Sequence, residues 1–463
     1  MALFNPCSAL FTLLCISLPA VAAEDNANLI ERGAYIARAA DCVACHRTPA
    51  ADGPAMAGGY AIDSPMGAII ASNITPSKQY GIGNYSEQQL ADALRKGINA
   101  KGQYLYPAMP YTAYRGMSDA DIHALYAYLQ NGVKAVEQAV PPTQLAFPFN
   151  LRQLMWGWNL LFLDPPGFTA KPGASEPLSR GQYLVDHLAH CGTCHTPRNL
   201  LMAEDPQQYL AGAPLGGWIA PNITSDKVSG LGNWSEADLM HFLKTGHLTD
   251  KAQAAGGMAE AVENSLRYLT DSDLHAMASY LLSVPARRAS QATAPVRREV
   301  KPVAMHSLET GQGDQASLAD SSGLDGARLY NSACASCHGR DGQGSADAFY
   351  PSLSQNSSLN GNQANNLVMA IVHGVQRQGA DLAVNMPALG ADLNDEQIAA
   401  VANYSLQTFG NPQLSISAAD VASLRKGGEP PLLLKAMPYL LIVAGLLGLL
   451  VLYGIWRWTR RGK

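Results

Sequence analysis

Three copies of one short pattern of cysteine and histidine occur in the sequence. Each copy has two cysteines separated by two residues and followed directly by a histidine, and the copies are Cys42, Cys45 and His46; Cys191, Cys194 and His195; and Cys334, Cys337 and His338. In the C-x-x-C-H pattern the two thiols bond covalently to a haem and the histidine binds its iron. The sequence therefore predicts three covalently bound haem c groups.

Cysteine pairs also occur in zinc sites and in redox-active dithiols. Zinc would require the pairs to combine into four-ligand sets, and a thioredoxin-like dithiol needs a βαβ context and no adjacent histidine. Of the eight cysteines, Cys7 and Cys15 lie in an N-terminal segment that we expect to be removed, and the other six are the motif thiols. No thiol remains for a structural disulfide, so the spacing and the count both favour haem.

We expect a methionine to bind each iron from the opposite side. Met109 follows His46 by 63 residues, Met258 follows His195 by the same 63 residues, and Met386 follows His338 by 48. A second ligand gives low-spin, electron-transferring iron, and methionine raises its reduction potential. Methionine more commonly fills cores, but the predicted position of these three in loops between helices favours ligation. The alternatives are Met56, Met66, Met117, Met202, Met277 and Met369.

The chain of 463 residues is long enough for three domains. Short helices, long loops and a terminal amphipathic helix predict an all-α fold of three tandem cytochrome c-like haem domains plus one C-terminal transmembrane helix. The predicted domains are 24–140, 176–285 and 323–411, and the connecting segments are an aromatic linker at 141–175 and a polar linker at 286–322.

The first two domains repeat one another. The triplet Asn73-Ile-Thr75 matches Asn222-Ile-Thr224, and both triplets begin 27 residues after the motif histidine. A period shared over so many residues indicates a duplication, and the fixed place of the triplet predicts a hydrogen-bonded turn. The third domain belongs to the same class without being a third copy.

Both ends of the chain predict an exported, anchored protein. Residues 1–23 resemble a signal peptide, although no lysine or arginine precedes the apolar run. Residues 412–435 predict a tether and 436–456 an uncharged transmembrane helix. The basic tail, 457–463, places the C-terminus in the cytoplasm and the haem domains on the other side of the membrane. A net charge of −5 does not suggest a nucleic-acid partner.

Two further features have open interpretations. The aromatic and apolar strip 151–163 either docks a partner subunit or the bilayer surface, or packs between the first two domains. Arg47, Arg198 and Arg340 follow the motifs, where they either pair with haem propionates or are solvated.

With these motifs, the chain resembles the cytochrome c subunit of bacterial membrane-bound dehydrogenases that oxidise sugars, sugar acids and alcohols, the gluconate 2-dehydrogenase type above all. The resemblance rests on the haem motifs, on Asn73-Ile-Thr-Pro76, on Trp158-Asn-Leu-Leu-Phe162 and on Tyr106-Pro-Ala-Met-Pro-Tyr111. Met258 departs from the Met-Pro of the other two domains. The resemblance implies a flavoprotein or quinoprotein dehydrogenase subunit as electron donor and ubiquinone as acceptor. It also implies a location in the bacterial inner membrane, with the haem domains on the periplasmic side.

No dinucleotide fingerprint, P-loop or nucleophile elbow appears, so we expect no catalytic site of the chain's own. We expect electron transfer along the three haems. The alternatives are a stand-alone carrier to a terminal oxidase and a peroxidase-like haem enzyme with an open iron site at His195.

Overall fold

The computed structural model describes residues 18–50, 52–288 and 326–461. The predicted signal peptide lies outside this range except for its last residues, and so does the linker 286–322 except for its first three residues. Leu18 to Ala23, the end of the predicted signal peptide, form the first turns of a helix that continues to Ala39.

The first domain and the linker after it contain six helices and three strands. In chain order these are α1 (Leu18–Ala39), α2 (Cys42–His46), β1 (Ala61–Ser64), β2 (Gly67–Ile70), α3 (Glu87–Lys96), α4 (Tyr111–Tyr114), α5 (Asp119–Asn131), β3 (Gln144–Leu145) and α6 (Leu154–Phe162). Strand β2 pairs antiparallel with both β1 and β3. The aromatic linker therefore contributes a strand to the first domain.

The second domain repeats this order, with an insertion in its first helix and one additional two-stranded hairpin. Its elements are α7 (Glu176–Tyr183), a π-helical turn (Leu184–Leu188), α8 (Gly192–His195), β4 (Ala213–Leu215), β5 (Trp218–Ala220), α9 (Glu236–Thr245), β6 (His247–Leu248), β7 (Ala252–Gln253), α10 (Gly257–Asn264) and α11 (Asp271–Ser283), with 3₁₀ turns at Pro206–Gln208 and Leu266–Tyr268. A π turn accommodates one extra residue in a helix. Tyr183 accordingly lies eight residues before Cys191, whereas Tyr35 lies seven before Cys42.

The third domain is followed by a long C-terminal helix. The elements are α12 (Gly326–Ala333), α13 (Ala335–His338), α14 (Ser357–Asn360), α15 (Asn365–His373), β8 (Val375–Gln378), β9 (Ala383–Met386), α16 (Asp395–Phe409), α17 (Ala418–Arg425) and α18 (Leu432–Arg461). No described side chain in the apolar part of helix α18 is buried, and α18 is the one helix in the described ranges that is long and apolar enough to cross a membrane.

The structure corrects two sequence predictions about these elements. The fold is mostly helical, but short antiparallel strands accompany the helices in every domain, which the all-α prediction did not include.

The predicted tether, 412–435, contains α17, whose Val421 and Leu424 are buried in the third core. Arg425 fixes this helix by an ion pair of 2.6 Å with Asp395, so much of the segment belongs to the third domain.

One close helix crossing recurs in all three domains. The first helix of each domain packs against the last, α1 on α5, α7 on α11 and α12 on α16. Gly33, Gly181 and Gly326 lie at the crossings, where an added Cβ would come within 2.0, 1.9 and 2.3 Å of a backbone oxygen of the last helix. Any residue other than glycine would bring its Cβ into contact with the backbone of the last helix. The haem motif of each domain follows the end of the first helix, so the crossing also positions the motif.

The first two domains share one core. Ile36, Leu125, Leu184 and Leu274, drawn from both domains, are 2% exposed or less and belong to a single cluster of buried side chains. The third domain has its own cluster around Ile398. The first two domains thus form one packed body.

We expect Gly33→Ala to lower the free energy of unfolding by about 1–3 kcal/mol, the usual cost of overpacking a core. The control is Gly157→Ala in α6, where an added Cβ meets nothing within 4 Å. Urea unfolding followed by circular dichroism measures both. Equal stability of the two variants would show that the α1–α5 crossing tolerates a side chain.

Candidate haem sites and the interface between them

Each motif histidine is held in the same way. Nδ1 of His46 lies 2.7 Å from the carbonyl oxygen of Ser72, and Nδ1 of His195 lies 2.7 Å from that of Pro221. In the third domain, Nδ1 of His338 lies 3.1 Å from the carbonyl oxygen of Pro351. A carbonyl only accepts, so Nδ1 carries the proton and donates, and Nε2 keeps its lone pair for a metal.

Burial favours the same protonation state. It lowers the pKa of His46, His195 and His338, because desolvation disfavours the imidazolium. A neutral imidazole is the form that binds iron. Hydrogen bonding and burial therefore fit these three residues to proximal haem ligation, the role that the motif predicts.

The carbonyls that hold the first two histidines belong to the residues directly before the duplicated triplet. Ser72 directly precedes Asn73 and Pro221 directly precedes Asn222. The Asn73 side-chain oxygen accepts from the backbone N–H and the hydroxyl of Thr75, at 2.9 and 2.7 Å. Asn222 holds Thr224 in the same way, at 2.8 and 2.7 Å. The triplet is the hydrogen-bonded turn that the sequence predicts, and its fixed distance from the motif was a signal for the missed carbonyl contact.

The motif cysteines are not paired with one another as disulfides. Burial is the main cause that raises the pKa of Cys42 and Cys191 to about 12 and that of Cys45 and Cys334 to about 11. These thiols are therefore protonated at neutral pH and are poor nucleophiles in the absence of a partner. Three separate dithiols, each beside its own histidine, do not form the four-ligand sets that zinc requires.

The predicted methionine ligands are more exposed than most of the other methionines that could bind the irons. Met109, Met258 and Met386 are partly exposed, whereas Met56, Met117, Met277 and Met369 are at most 2% exposed and fill the cores. Met66 and Met202 are partly exposed as well.

The loop positions expected for all three methionines are found for one of them. Met109 lies in the turn before α4, but Met258 is the second residue of α10 and Met386 ends strand β9. The Gly256-Gly257 pair begins the helix rather than forming a loop, because Gly256 adopts a positive φ of 53° at its N-terminus.

The arginines after the first two motifs already have protein partners. Arg47 pairs with Glu260 of the second domain at 3.3 Å and stacks on the Tyr60 ring. Arg198 lies 3.6 Å from Glu204. Both arginines are thus paired with carboxylates, and pairing with haem propionates stays a prediction.

Two tyrosines cross between the first two domains in a reciprocal arrangement. Tyr35 on α1 donates at 2.6 Å to Asp273 on α11, and Tyr183 on α7 donates at 2.6 Å to Asp121 on α5. Each hydroxyl also accepts a backbone N–H, from Thr270 at 3.3 Å and from Ser118 at 3.0 Å, which are the residues that cap α11 and α5. The interface thus has approximate two-fold symmetry, as a duplication permits.

Each aspartate in this exchange also pairs with an arginine of its own domain. Asp121 accepts from Arg32 at 2.7 Å, and Asp273 accepts two bonds from Arg180, at 2.8 and 2.7 Å. Burial acts to raise the pKa of Asp273, but the bonds from Arg180 and Tyr35 outweigh it and hold that pKa below its ordinary value. Burial raises the pKa of Tyr183 to about 12, so its hydroxyl remains a donor at neutral pH.

The two haem motifs meet across this interface. Tyr114 on α4 donates at 2.6 Å to the carbonyl of Ala40, just before the first motif, and its ring lies 5.5 Å from that of His190, just before the second. Helix α10 contacts both α2 of the first domain and β8 of the third. All three domains therefore meet at α10, the helix whose second residue is Met258.

The sequence matches the cytochrome c family over residues 30–132, 178–285 and 324–408, one match around each haem motif. The chain belongs to the cytochrome c family. A cytochrome c domain carries covalently bound haem c, and the matched segments lie within the three predicted domain ranges.

Named relatives cover nearly the whole cytochrome chain. It is 46% identical to the fructose dehydrogenase cytochrome subunit of Gluconobacter japonicus, over 94% of this chain and 91% of that one. It is 40% identical to the gluconate 2-dehydrogenase cytochrome c subunit of Pantoea cypripedii, over 88% and 92%. It is 38% identical to the cytochrome c subunit of alcohol dehydrogenase (quinone) of Gluconacetobacter polyoxogenes, over 91% and 90%. The expected resemblance to dehydrogenase cytochrome subunits is confirmed.

We expect Tyr183→Phe to destabilise the cytochrome by about 1.5–3 kcal/mol, the range for hydrogen bonds to charged groups. The variant removes the donor to Asp121 and keeps the ring. Tyr80→Phe, at a tyrosine 38% exposed, is the control, and both unfolding free energies are measured in urea. If the Tyr183→Phe variant is as stable as the control, the hydrogen bond between Tyr183 and Asp121 does not stabilise the contact between the domains.

Proposed function

We propose that the chain binds three haem c groups, one at each motif. Covalent thioether bonds to the porphyrins are made by Cys42 and Cys45, Cys191 and Cys194, and Cys334 and Cys337. The proposed iron ligands are His46 with Met109, His195 with Met258, and His338 with Met386. The observation that carries this proposal is the threefold recurrence of a motif histidine whose Nδ1 is bonded to a backbone carbonyl. A single such contact has many explanations, and its recurrence at the same position of all three motifs supports haem ligation.

When bound, each haem supplies an iron that accepts and releases one electron. The protein's own part is to hold the imidazoles in one orientation and to set their basicity through the bonds to Ser72, Pro221 and Pro351. The partly exposed methionines act as the second ligands and raise the potentials. The shared core and the tyrosine–aspartate bonds keep the first two sites at a fixed separation.

The electron donor in this proposal is a flavoprotein or quinoprotein dehydrogenase subunit that oxidises a sugar, a sugar acid or an alcohol. The names of the relatives, which are subunits of fructose, gluconate and alcohol dehydrogenases, support this class of partner. The chain itself performs no substrate oxidation.

The aromatic strip provides a surface for that subunit. Trp158 donates to the carbonyl of Leu201 at 2.9 Å and Asn159 accepts from Tyr111 at 2.8 Å, so α6 is held against both domains. Its outer side chains remain uncovered: Trp156, Leu160 and Leu161 are 62%, 73% and 66% exposed. An apolar surface of this kind favours a permanent protein partner.

The acceptor in this proposal is ubiquinone in the bacterial inner membrane. Helix α18 anchors the chain there, with the haem domains on the periplasmic side and the basic C-terminus in the cytoplasm. The helix has 30 residues, about 45 Å at 1.5 Å per residue, which exceeds the hydrocarbon thickness of about 30 Å. The quinone in the name of the alcohol dehydrogenase relative supports this acceptor.

Purification of the native complex tests the donor and the acceptor together. We expect the detergent-solubilised chain to copurify with a dehydrogenase subunit and to reduce an added ubiquinone analogue when that subunit's substrate is supplied. Trp156→Ser with Leu160→Ser should weaken copurification, because the variant removes exposed apolar surface and no core contact. A chain that purifies alone and leaves quinone oxidised would contradict the proposed function.

Replacement of Met258 tests the ligand set. We expect Met258→Ala to lower the midpoint potential of one haem and to leave the others unchanged, because loss of a methionine ligand lowers the potential. Met202→Ala, at another partly exposed methionine of the same domain, is the control. A spectroelectrochemical titration measures the potentials. Identical titrations of Met258→Ala and the wild type would show that Met258 does not bind iron.

A further inference from the structure

A second group of metal-binding side chains lies away from the haem motifs, where the second and third domains meet. His241 is on α9, His247 is on β6 just after that helix ends, and Asp381 lies in the turn between β8 and β9. One ligand atom from each residue lies within 4.8 Å of the others. Nothing in the haem sites uses these three residues.

The local structure brings the two histidines together. Helix α9 ends at Gly246, which adopts a left-handed φ of 78° and reverses the chain. The rings of His241 and His247 consequently meet edge to face, with centroids 5.0 Å apart. The carbonyl groups at the C-terminus of a helix carry a partial negative charge, which favours a cation at this position.

Contacts in both directions between the domains hold Asp381 beside this pair. Arg377 of the third domain donates to the carbonyl of Ala254 at 2.6 Å, and Arg267 of the second domain donates to the carbonyl of Gln378 at 2.9 Å. The turn therefore rests against the end of α9, and Oδ2 of Asp381 lies 3.8 Å from Nε2 of His247.

Burial and nearby charges act on His247. Burial lowers its pKa, and the charges of His241 and Arg377 act in the same direction against the opposing effect of Asp381. Arg377 is the nearest competing cation, and its guanidinium is already bonded to the Ala254 carbonyl and, at 3.2 Å, to the side chain of Gln253.

We propose that His241, His247 and Asp381 bind a divalent transition metal, of which zinc is the best fit, and that the metal fastens the third domain to the second. Two histidines and one carboxylate are a common zinc ligand set, with the fourth position left to water. Ligand atoms around tetrahedral zinc are about 3.4 Å apart. His241 and Asp381 are both exposed, so their side chains are free to close the remaining gap.

Zinc uptake by the untagged full-length holoprotein tests this proposal independently of its haem content and of quinone reduction. The protein is stripped with chelator, dialysed against a range of zinc concentrations, and analysed for zinc and iron by mass spectrometry. We expect one zinc per chain at saturation. Asp381→Asn and His241→Ala should each weaken binding by about tenfold or more, and both positions are exposed, so the fold should persist.

The matched control is His275→Ala, which removes another exposed histidine that lies beside a carboxylate, 3.5 Å from Glu236. It should bind zinc as the wild type does. No saturable zinc in the wild type would overturn the site, and zinc binding unaffected by Asp381→Asn would overturn the link between the domains.

Discussion

The crossing of the first and last helices in each domain is the contact on which the rest of the structure depends. Glycine at Gly33, Gly181 and Gly326 lets the two backbones approach until a Cβ would overlap a carbonyl oxygen. The haem motif follows directly from the end of the first helix, so this crossing decides where each motif lies. The same helices also carry the residues that join the first two domains, since Tyr35 and Tyr183 are on first helices and Asp121 and Asp273 are on last helices.

These contacts explain how the two duplicated domains form a single packed unit. Each copy keeps its own arginine–aspartate pair and gives its tyrosine to the aspartate of the other copy. The result is a reciprocal interface over a continuous core, and it holds two motifs close together. The third domain is joined differently, through hydrogen bonds to β5 and around the hairpin of β8 and β9, and through Trp218 of the second domain, which packs on the third core. This suits a separate unit added to a duplicated pair.

Much of the site was predictable from sequence because its signals are local. The C-x-x-C-H motifs, the duplicated triplet and the capped helices at Ser86 and Ser118 all depend on neighbours within a few residues. The tyrosine–aspartate exchange was not predictable, because Tyr35 and Asp273 are 238 residues apart and each is an ordinary residue for a helix. The position of Met258 in a helix was missed because Gly256-Gly257 was interpreted as a loop. The helix in the 412–435 segment was missed because its few buried positions are separated by polar ones.

The central claim is that the chain carries three one-electron haems, each with two protein ligands. The most direct measurement is an anaerobic reductive titration of the purified full-length chain, followed by visible spectroscopy before and after carbon monoxide is added. Three electron equivalents per chain, with low-spin spectra that carbon monoxide does not change, are the predicted result. Fewer equivalents, or a high-spin species that binds carbon monoxide, would contradict it.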